Sequence, residues 1–216
     1  LPKVSASILS SDLSDLHHEC RRVLDAGADM IHFDVMDGHF VPNLTFGAPL
    51  LKSLKKRLTA TVDAHLMISE PDRYAPDFAK AGADYLLFHA EASKDPKATL
   101  AVIRGSGAKP GMVVNPDTDA ETLKPFARDL DYILFMSVFP GFAGQKFIPA
   151  VVPKLTQFSK WCQAEGLSPI LAVDGGVTPE NAGDLAGAGA TLLIAASAIF
   201  QAPDMADAIR RLKNPK

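Results

Sequence analysis

Apolar residues along this chain fall into two alternating rhythms. Short runs rich in Val, Ile, Leu and Phe occur at "VSASIL" (4–9), "MIHFDV" (30–35), "TVDAHLM" (61–67), "DYLLFH" (84–89), "KPGMVV" (109–114), "DYILFMS" (131–137), "SPILAVD" (168–174) and "ATLLIAA" (190–196). Their length and composition read as strands. The segments between them carry helical spacing. "DLSDLHHECRRVLDAG" predicts a helix with Leu13, Leu16, Cys20, Val23 and Leu24 on one stripe, Asp12 near its start and Gly27 past its last turn. The strand runs are too apolar for a sheet with one wet face, so parallel strands covered by helices are expected.

A weak repeat sets the number of units. "AGAD" at 26–29, "AGAD" at 81–84 and "AGAT" at 188–191 each precede an apolar run, at offsets of 55 and 107 residues. These are close to two and four units of about 27 residues, and eight such units account for a chain of 216. Each Gly stands where a helix would end in a left-handed turn. An open doubly wound sheet alternates similarly, but eight regular units without GxGxxG after the first strand favour closure. The expectation is an α/β fold: a single (β/α)8 TIM barrel domain of parallel strands over residues 1–216, with no linker.

Composition narrows the function classes. A net charge of -3, with basic residues scattered apart from Lys52, Lys55, Lys56 and Arg57, offers no stripe for nucleic acid or anionic lipid. No apolar run is long enough to span a bilayer, and no basic segment followed by an apolar stretch opens the chain. Two cysteines, Cys20 and Cys162, without CxxC spacing suggest free thiols in a reducing compartment. A cytoplasmic protein with no membrane or nucleic-acid partner is expected.

The chemistry lies where the strands turn polar. Ser7, His32, Asp34, His65, His89, Asn115, Ser137, Asp174 and Ser197 stand at or near the C-terminal ends of their runs, the rim that carries chemistry in barrel enzymes. Alternation puts His32 and Asp34 on one face and Ile31, Phe33 and Val35 on the other. Two carboxylates on a barrel axis without a neighbouring Arg or Lys need compensation, since an unpaired buried carboxylate costs several kcal/mol. One divalent cation per chain, held by His32, Asp34, His65 and Asp174, resolves this. The nitrogen and oxygen ligands suit Zn2+, with Fe2+, Mn2+ and Co2+ as open alternatives. "PGFAGQ", "DGGV" and "AAS" before a short helical "AIF" follow strands six, seven and eight. In barrels, such loops supply backbone N–H groups to a phosphate.

From "SILSSDL" to "SAIF", with "HFDVMDGHFVPN", "DAHLMI", "MSVFPGFAGQKF" and "VDGGV" in order between them, the chain resembles the ribulose-phosphate 3-epimerase family. That resemblance implies interconversion of D-ribulose 5-phosphate and D-xylulose 5-phosphate by moving the C3 proton between faces through an enediolate. It implies Asp34 and Asp174 as the acid/base pair and His32, Asp34, His65 and Asp174 as the metal ligands. It implies substrate contacts from Ser7, His65 and the methionines Met36, Met67 and Met136, although methionines in an apolar rim are otherwise gap-fillers. Gly141, Phe142, Ala143, Gly144, Gly175, Gly176, Ala196 and Ser197 are implied around the phosphate, under a closing "PGFAGQ" loop. A homo-oligomer follows from the same resemblance.

Two other readings stay in view: an epimerase for D-allulose 6-phosphate, and a non-catalytic barrel that only binds sugar phosphate. The decarboxylase and hexulose-phosphate synthase class resembles DxKxxD on a strand, and His65 stands where that lysine would be. The chain also departs from the epimerase pattern near the phosphate, at Phe139 for a polar residue and at Ala143 and Ala196 for glycines. Both alanines are expected to be accommodated at negative φ.

Overall fold

In the computed structural model, which describes residues 1–215, eight strands close into one barrel; Lys216, the last residue of the expected domain, lies outside the described residues. The strands are β1 (Lys3–Ser7), β2 (Met30–Met36), β3 (Val62–Met67), β4 (Tyr85–His89), β5 (Lys109–Val114), β6 (Tyr132–Met136), β7 (Ile170–Asp174) and β8 (Leu192–Ala195). Each pairs in parallel with the next, and β8 returns to β1. The covering helices are α1 (Leu16–Asp25), α2 (Ala48–Lys55), α3 (Pro71–Ala81), α4 (Pro96–Gly105), α5 (Val151–Ala164), α6 (Ala182–Gly187), α7 (Ser197–Phe200) and α8 (Met205–Lys213).

The pleat divides each strand between two cores. On β2, Ile31, Phe33 and Val35 face outward into the main apolar cluster shared with the helices, which includes Leu51, Phe78 and Ile209. Met30 faces inward, with Leu87, Val113, Leu134, Ala172, Leu192 and Ile194, and fills the barrel. This packed interior forms a floor beneath the polar residues at the strand C-termini. The repeat glycines do what their spacing implies: Gly27, Gly82 and Gly189 have φ of 108°, 107° and 107°. A side chain there would meet the left-handed penalty that glycine escapes.

Three local expectations give way to stronger effects. The helix predicted from Asp12 begins at Leu16, because Asp12 accepts the Ser14 N–H at 2.9 Å and holds Leu13–Asp15 as a 3-10 turn. Leu13 therefore leaves the stripe and is 50% exposed. The crossover after β5 is a 3-10 segment, Ala120–Asp129, with Pro125 inside it. A proline lacks the donor for a helical turn and crowds the carbonyl four residues back, which disfavours a regular α-helix. The first strand ends at Ser7, and Ile8–Ser10 turns as 3-10.

Candidate active site

Parallel register gathers the polar strand ends. Ser7 stands beside His32, His32 beside Asp63, and Asp34 beside His65, while Asp174 of β7 is beside Met136 of β6. Since these positions alternate with outward apolar ones, their side chains converge inside the barrel mouth. His32 and His65 are fully buried and Asp34 nearly so, whereas the Asp174 side chain keeps 17% exposure.

His32, Asp34, His65 and Asp174 each offer a ligand atom, and all four atoms lie within 4.8 Å of one another. His32 Nε2 is 3.2 Å from Asp34 Oδ1 and 3.8 Å from Asp174 Oδ2; His65 Nδ1 is 3.6 Å from Asp34 Oδ1. Ligands held roughly 2.0–2.2 Å from a tetrahedral ion stand roughly 3.3–3.6 Å apart, so this spacing fits a small divalent cation. The decisive observation is that His32 Nε2 and His65 Nδ1 are buried and have no hydrogen-bond partner, while the other nitrogen of each ring is engaged. Two ring nitrogens without hydrogen-bond partners beside two carboxylates are a donor set that a cation would satisfy. Every ion-pair partner of Asp34 and Asp174 among the described residues is a histidine.

A third buried carboxylate was not singled out in the sequence. Asp63, two residues before His65 on the same inward face, accepts the Ser5 hydroxyl at 2.8 Å, contacts the Tyr132 hydroxyl at 3.4 Å and pairs with His32 Nδ1. An ionised carboxylate only accepts, so it places the proton on Nδ1 and turns Nε2 toward Asp34 and Asp174. The only hint was the alternation in "VDAHLM", where Asp63 shares a face with His65.

Electrostatics separate the two rim carboxylates. Burial alone would raise Asp34, but His32 and His65 outweigh it and hold it well below the usual carboxylate range. Burial also raises Asp174; His32 pulls it back down, yet the charges of Asp34 and Asp63 leave it at about 7. A cation bound among them would lower Asp174 in turn. Burial lowers the His32 pKa, and Asp34 and Asp63 more than reverse this; His65, whose burial is less well compensated, falls to about 3.

Above these residues opens a cavity of about 350 Å³. Ser7, Asp34, Met36, Met67, Met136, Gly141, Phe142, Ala143, Gly144, Asp174, Gly175, Gly176, Ala196 and Ser197 all line it. His65, expected among the substrate contacts, does not reach its wall and lies wholly buried behind Asp34. Phe139 also stays off the wall: its side chain is 51% exposed, and its carbonyl accepts the Gln145 amide at 2.7 Å. Gln145, itself in the "PGFAGQ" loop, also ties down the Phe142 carbonyl, and Asn43 donates to the Gly141 carbonyl at 2.8 Å, so the loop is stapled internally and anchored to the segment after β2. Lys146 and Thr178 line the same wall and were not foreseen.

Glycine is required at 176, where φ is 62° and an added Cβ would stand 2.6 Å from the Phe147 backbone nitrogen. The two substituted positions need no glycine. No non-glycine residue among those described has positive φ, and Ala196 has φ of -113°. Ala196→Gly is accordingly expected to change substrate KM by only a few-fold, less than about 1 kcal/mol. A hundredfold gain in steady-state assays would show that the alanine impairs the site.

Solved structures place this architecture among known barrels. The chain superposes on 3-hexulose-6-phosphate synthase from Salmonella typhimurium with a TM-score of 0.71 and 20% identity, covering 98% of this chain and 97% of that one. It superposes on orotidine 5'-phosphate decarboxylase from Pyrococcus horikoshii with a TM-score of 0.69 and 14% identity, covering 98% of each. Likeness at that identity concerns the fold alone. Sequence relatives are much nearer. The chain is 46% identical to ribulose-phosphate 3-epimerase of Synechocystis over 215 residues, which is 99% of this chain and 94% of that protein. It is 45% identical to the Bacillus subtilis enzyme of the same name over 99% of both chains, and 46% identical to the one from Escherichia coli K12 over 98% and 94%. The family model described as "Ribulose-phosphate 3 epimerase family" matches residues 3–200, a span that runs from the first residue of β1 to the last of α7 and includes every wall and floor residue named above. This chain belongs to the ribulose-phosphate 3-epimerase family.

Proposed function

We propose that the chain interconverts D-ribulose 5-phosphate and D-xylulose 5-phosphate, with Asp34 and Asp174 as two bases serving opposite faces of C3. The observation that carries this reading is the pair itself: two carboxylates lining one cavity, one held ionised and one raised to about 7. An epimerisation through an enediolate needs one carboxylate ready to take a proton and another ready to give one. The roles exchange with the direction of reaction. Ser7, whose hydroxyl donates to Asp34 Oδ2 at 2.7 Å, orients that carboxylate. Met36, Met67 and Met136 offer a polarizable, water-poor wall for a flat enediolate.

His32, Asp34, His65 and Asp174 are the residues that would hold one divalent cation, Zn2+ first, with Fe2+, Mn2+ and Co2+ as alternatives. When bound, such a cation supplies Lewis-acid stabilisation to the negative charge that develops as the C3 proton leaves. Gly144, Gly175, Gly176 and Ser197 border the part of the cavity assigned to phosphate, where backbone N–H groups suit an anion. The anchored loop carrying Gly141, Phe142 and Ala143 would close over it and exclude water.

Solvent-deuterium incorporation tests reaction and substrate together. D-ribulose 5-phosphate should acquire deuterium at C3 with formation of the xylulose epimer, and faster than D-allulose 6-phosphate does. Faster exchange into the hexulose would transfer the reading to that substrate. Tight binding without exchange into either would reduce the protein to a sugar-phosphate-binding barrel.

A further inference from the structure

His89 and Glu91 lie outside the cavity wall, and nothing in the proton transfer uses them. His89, at the end of β4, is fully buried; its ring stacks on His65 with centroids 4.9 Å apart at 20° and packs on Phe40 at 4.8 Å. His89 Nε2 is 2.8 Å from His65 Nε2. Two ring nitrogens at that distance share a single proton, and its owner is decided by what lies on the far side of His89. There, Nδ1 stands 3.3 Å from Glu91 Oε2. The other oxygen of Glu91 accepts the Asn115 N–H at 2.8 Å and the Thr118 hydroxyl.

The donor polarity then follows step by step. The Glu91 carboxylate only accepts, so His89 carries its proton on Nδ1 and leaves Nε2 as an acceptor. His65 must therefore carry its proton on Nε2, which leaves Nδ1 with a bare lone pair. That is the buried atom without a partner, 3.6 Å from Asp34 Oδ1. Burial raises the Glu91 carboxyl, but bonds from His89, Thr118 and Asn115 outweigh it and hold the group below its ordinary value, at about 2, which keeps it an acceptor.

We infer that Glu91, acting through His89, is a positioning residue that fixes the Nε2–H tautomer and ring plane of His65, so that Nδ1 presents its lone pair to Asp34 and the other candidate ligands. The inference rests on the reading of those residues as a cation site and states how one ligand is prepared. Asp63 does the same for His32 by direct contact. On the His65 side the carboxylate acts across an intervening ring, and through it β4 and the segment after β5 serve a site to which neither gives a ligand. Lys154 of α5 pins that segment by donating to the carbonyls of Pro116 and Thr118.

Glu91→Gln separates this role from a mere staple. The Asn115 N–H can only donate, so the Gln oxygen stays with it and the amide NH2 turns toward His89. His89 Nδ1 must then accept, its Nε2 donates to His65 Nε2, and the His65 proton moves to Nδ1. Long-range imidazole 1H–15N spectra of the full chain, freed of metal by chelation, read this directly. The wild type should show His65 as Nε2–H and Glu91→Gln as Nδ1–H, and bound Zn2+ should pass from the variant to a chelator at least about 10-fold faster, the usual scale for such a partner. Thr118→Val removes one staple bond without changing the polarity, and should keep the wild-type tautomer. A wild-type His65 protonated on Nδ1 overturns the inference whatever the variants do, as does Glu91→Gln with its tautomer unchanged or Thr118→Val with the same inversion. Inversion in Glu91→Gln together with no Zn2+ uptake by the wild type keeps the relay and overturns the cation reading alone.

Discussion

Asp34→Asn and Asp174→Asn are each expected to lower turnover by about 10² to 10⁴, the scale of a lost general acid or base, or about 3 to 5 kcal/mol of barrier. Asparagine keeps the shape, and its oxygen can still accept the Ser7 hydroxyl that now bonds Asp34 Oδ2. What it cannot do is take a proton. Two bases on opposite faces also predict a sharper result than lost turnover. With one carboxylate gone, the other still exchanges the C3 proton of the epimer whose face it serves. Each variant should then wash solvent deuterium into one epimer only, and the two variants into different ones. Loss of exchange into both epimers in one variant, with exchange into both kept by the other and metal content unchanged, would argue for one shared base. Both residues are also candidate ligands, so metal content is measured in each variant; activity restored by added cation would assign that residue a ligand role alone. Near-normal epimerisation by either variant would remove the two-base mechanism.

The fold was legible because its signals are periodic and redundant. Eight apolar runs, three repeat glycines and alternation on β2 all point to one closed barrel, so the misread start of α1 and the 3-10 crossover at Pro125 altered no topology. The rim was legible for a related reason: a polar residue in an apolar run is conspicuous, and His32, Asp34, His65 and Asp174 converge as that contrast implied. What escaped is the layer behind them. Asp63 sits near the start of its run, where a carboxylate looks like a solvated strand end, and only the register that sets it beside His32 buries it. Glu91 follows its strand in what reads as a loop, and its partners Asn115 and Thr118 lie a whole unit further on. Local pattern reports which way a side chain faces, whereas its partner depends on register and shear between strands. His65 illustrates the same limit, correctly placed on the inward face yet buried too deep to touch the cavity.

Purified protein is expected to carry about one transition-metal ion per chain, to lose nearly all activity to a strong chelator, and to regain it on adding Zn2+ or another of the candidate ions. His32→Ala and His65→Ala should each lower occupancy. The argument is one of charge. Asp34, Asp63 and Asp174 surround two imidazoles, and each imidazole turns a nitrogen without a hydrogen bond toward the rim. Such a cluster can be neutralised by a cation or by protons, and the raised pKa of His32 and Asp174 describes the proton alternative. Thermal unfolding tells the two apart without an activity assay. Free cation at 1,000 times its Kd stabilises the folded chain by about 4 kcal/mol, which for a chain of this size raises Tm by roughly 8 to 16 °C. His32→Ala and His65→Ala should lose most of that increment while folding normally without metal. Full activity in metal-free protein, with Tm unmoved by any of the four ions, would assign the neutralising charge to protons on His32 and Asp174. The enediolate would then have to be stabilised by hydrogen bonds from the wall alone.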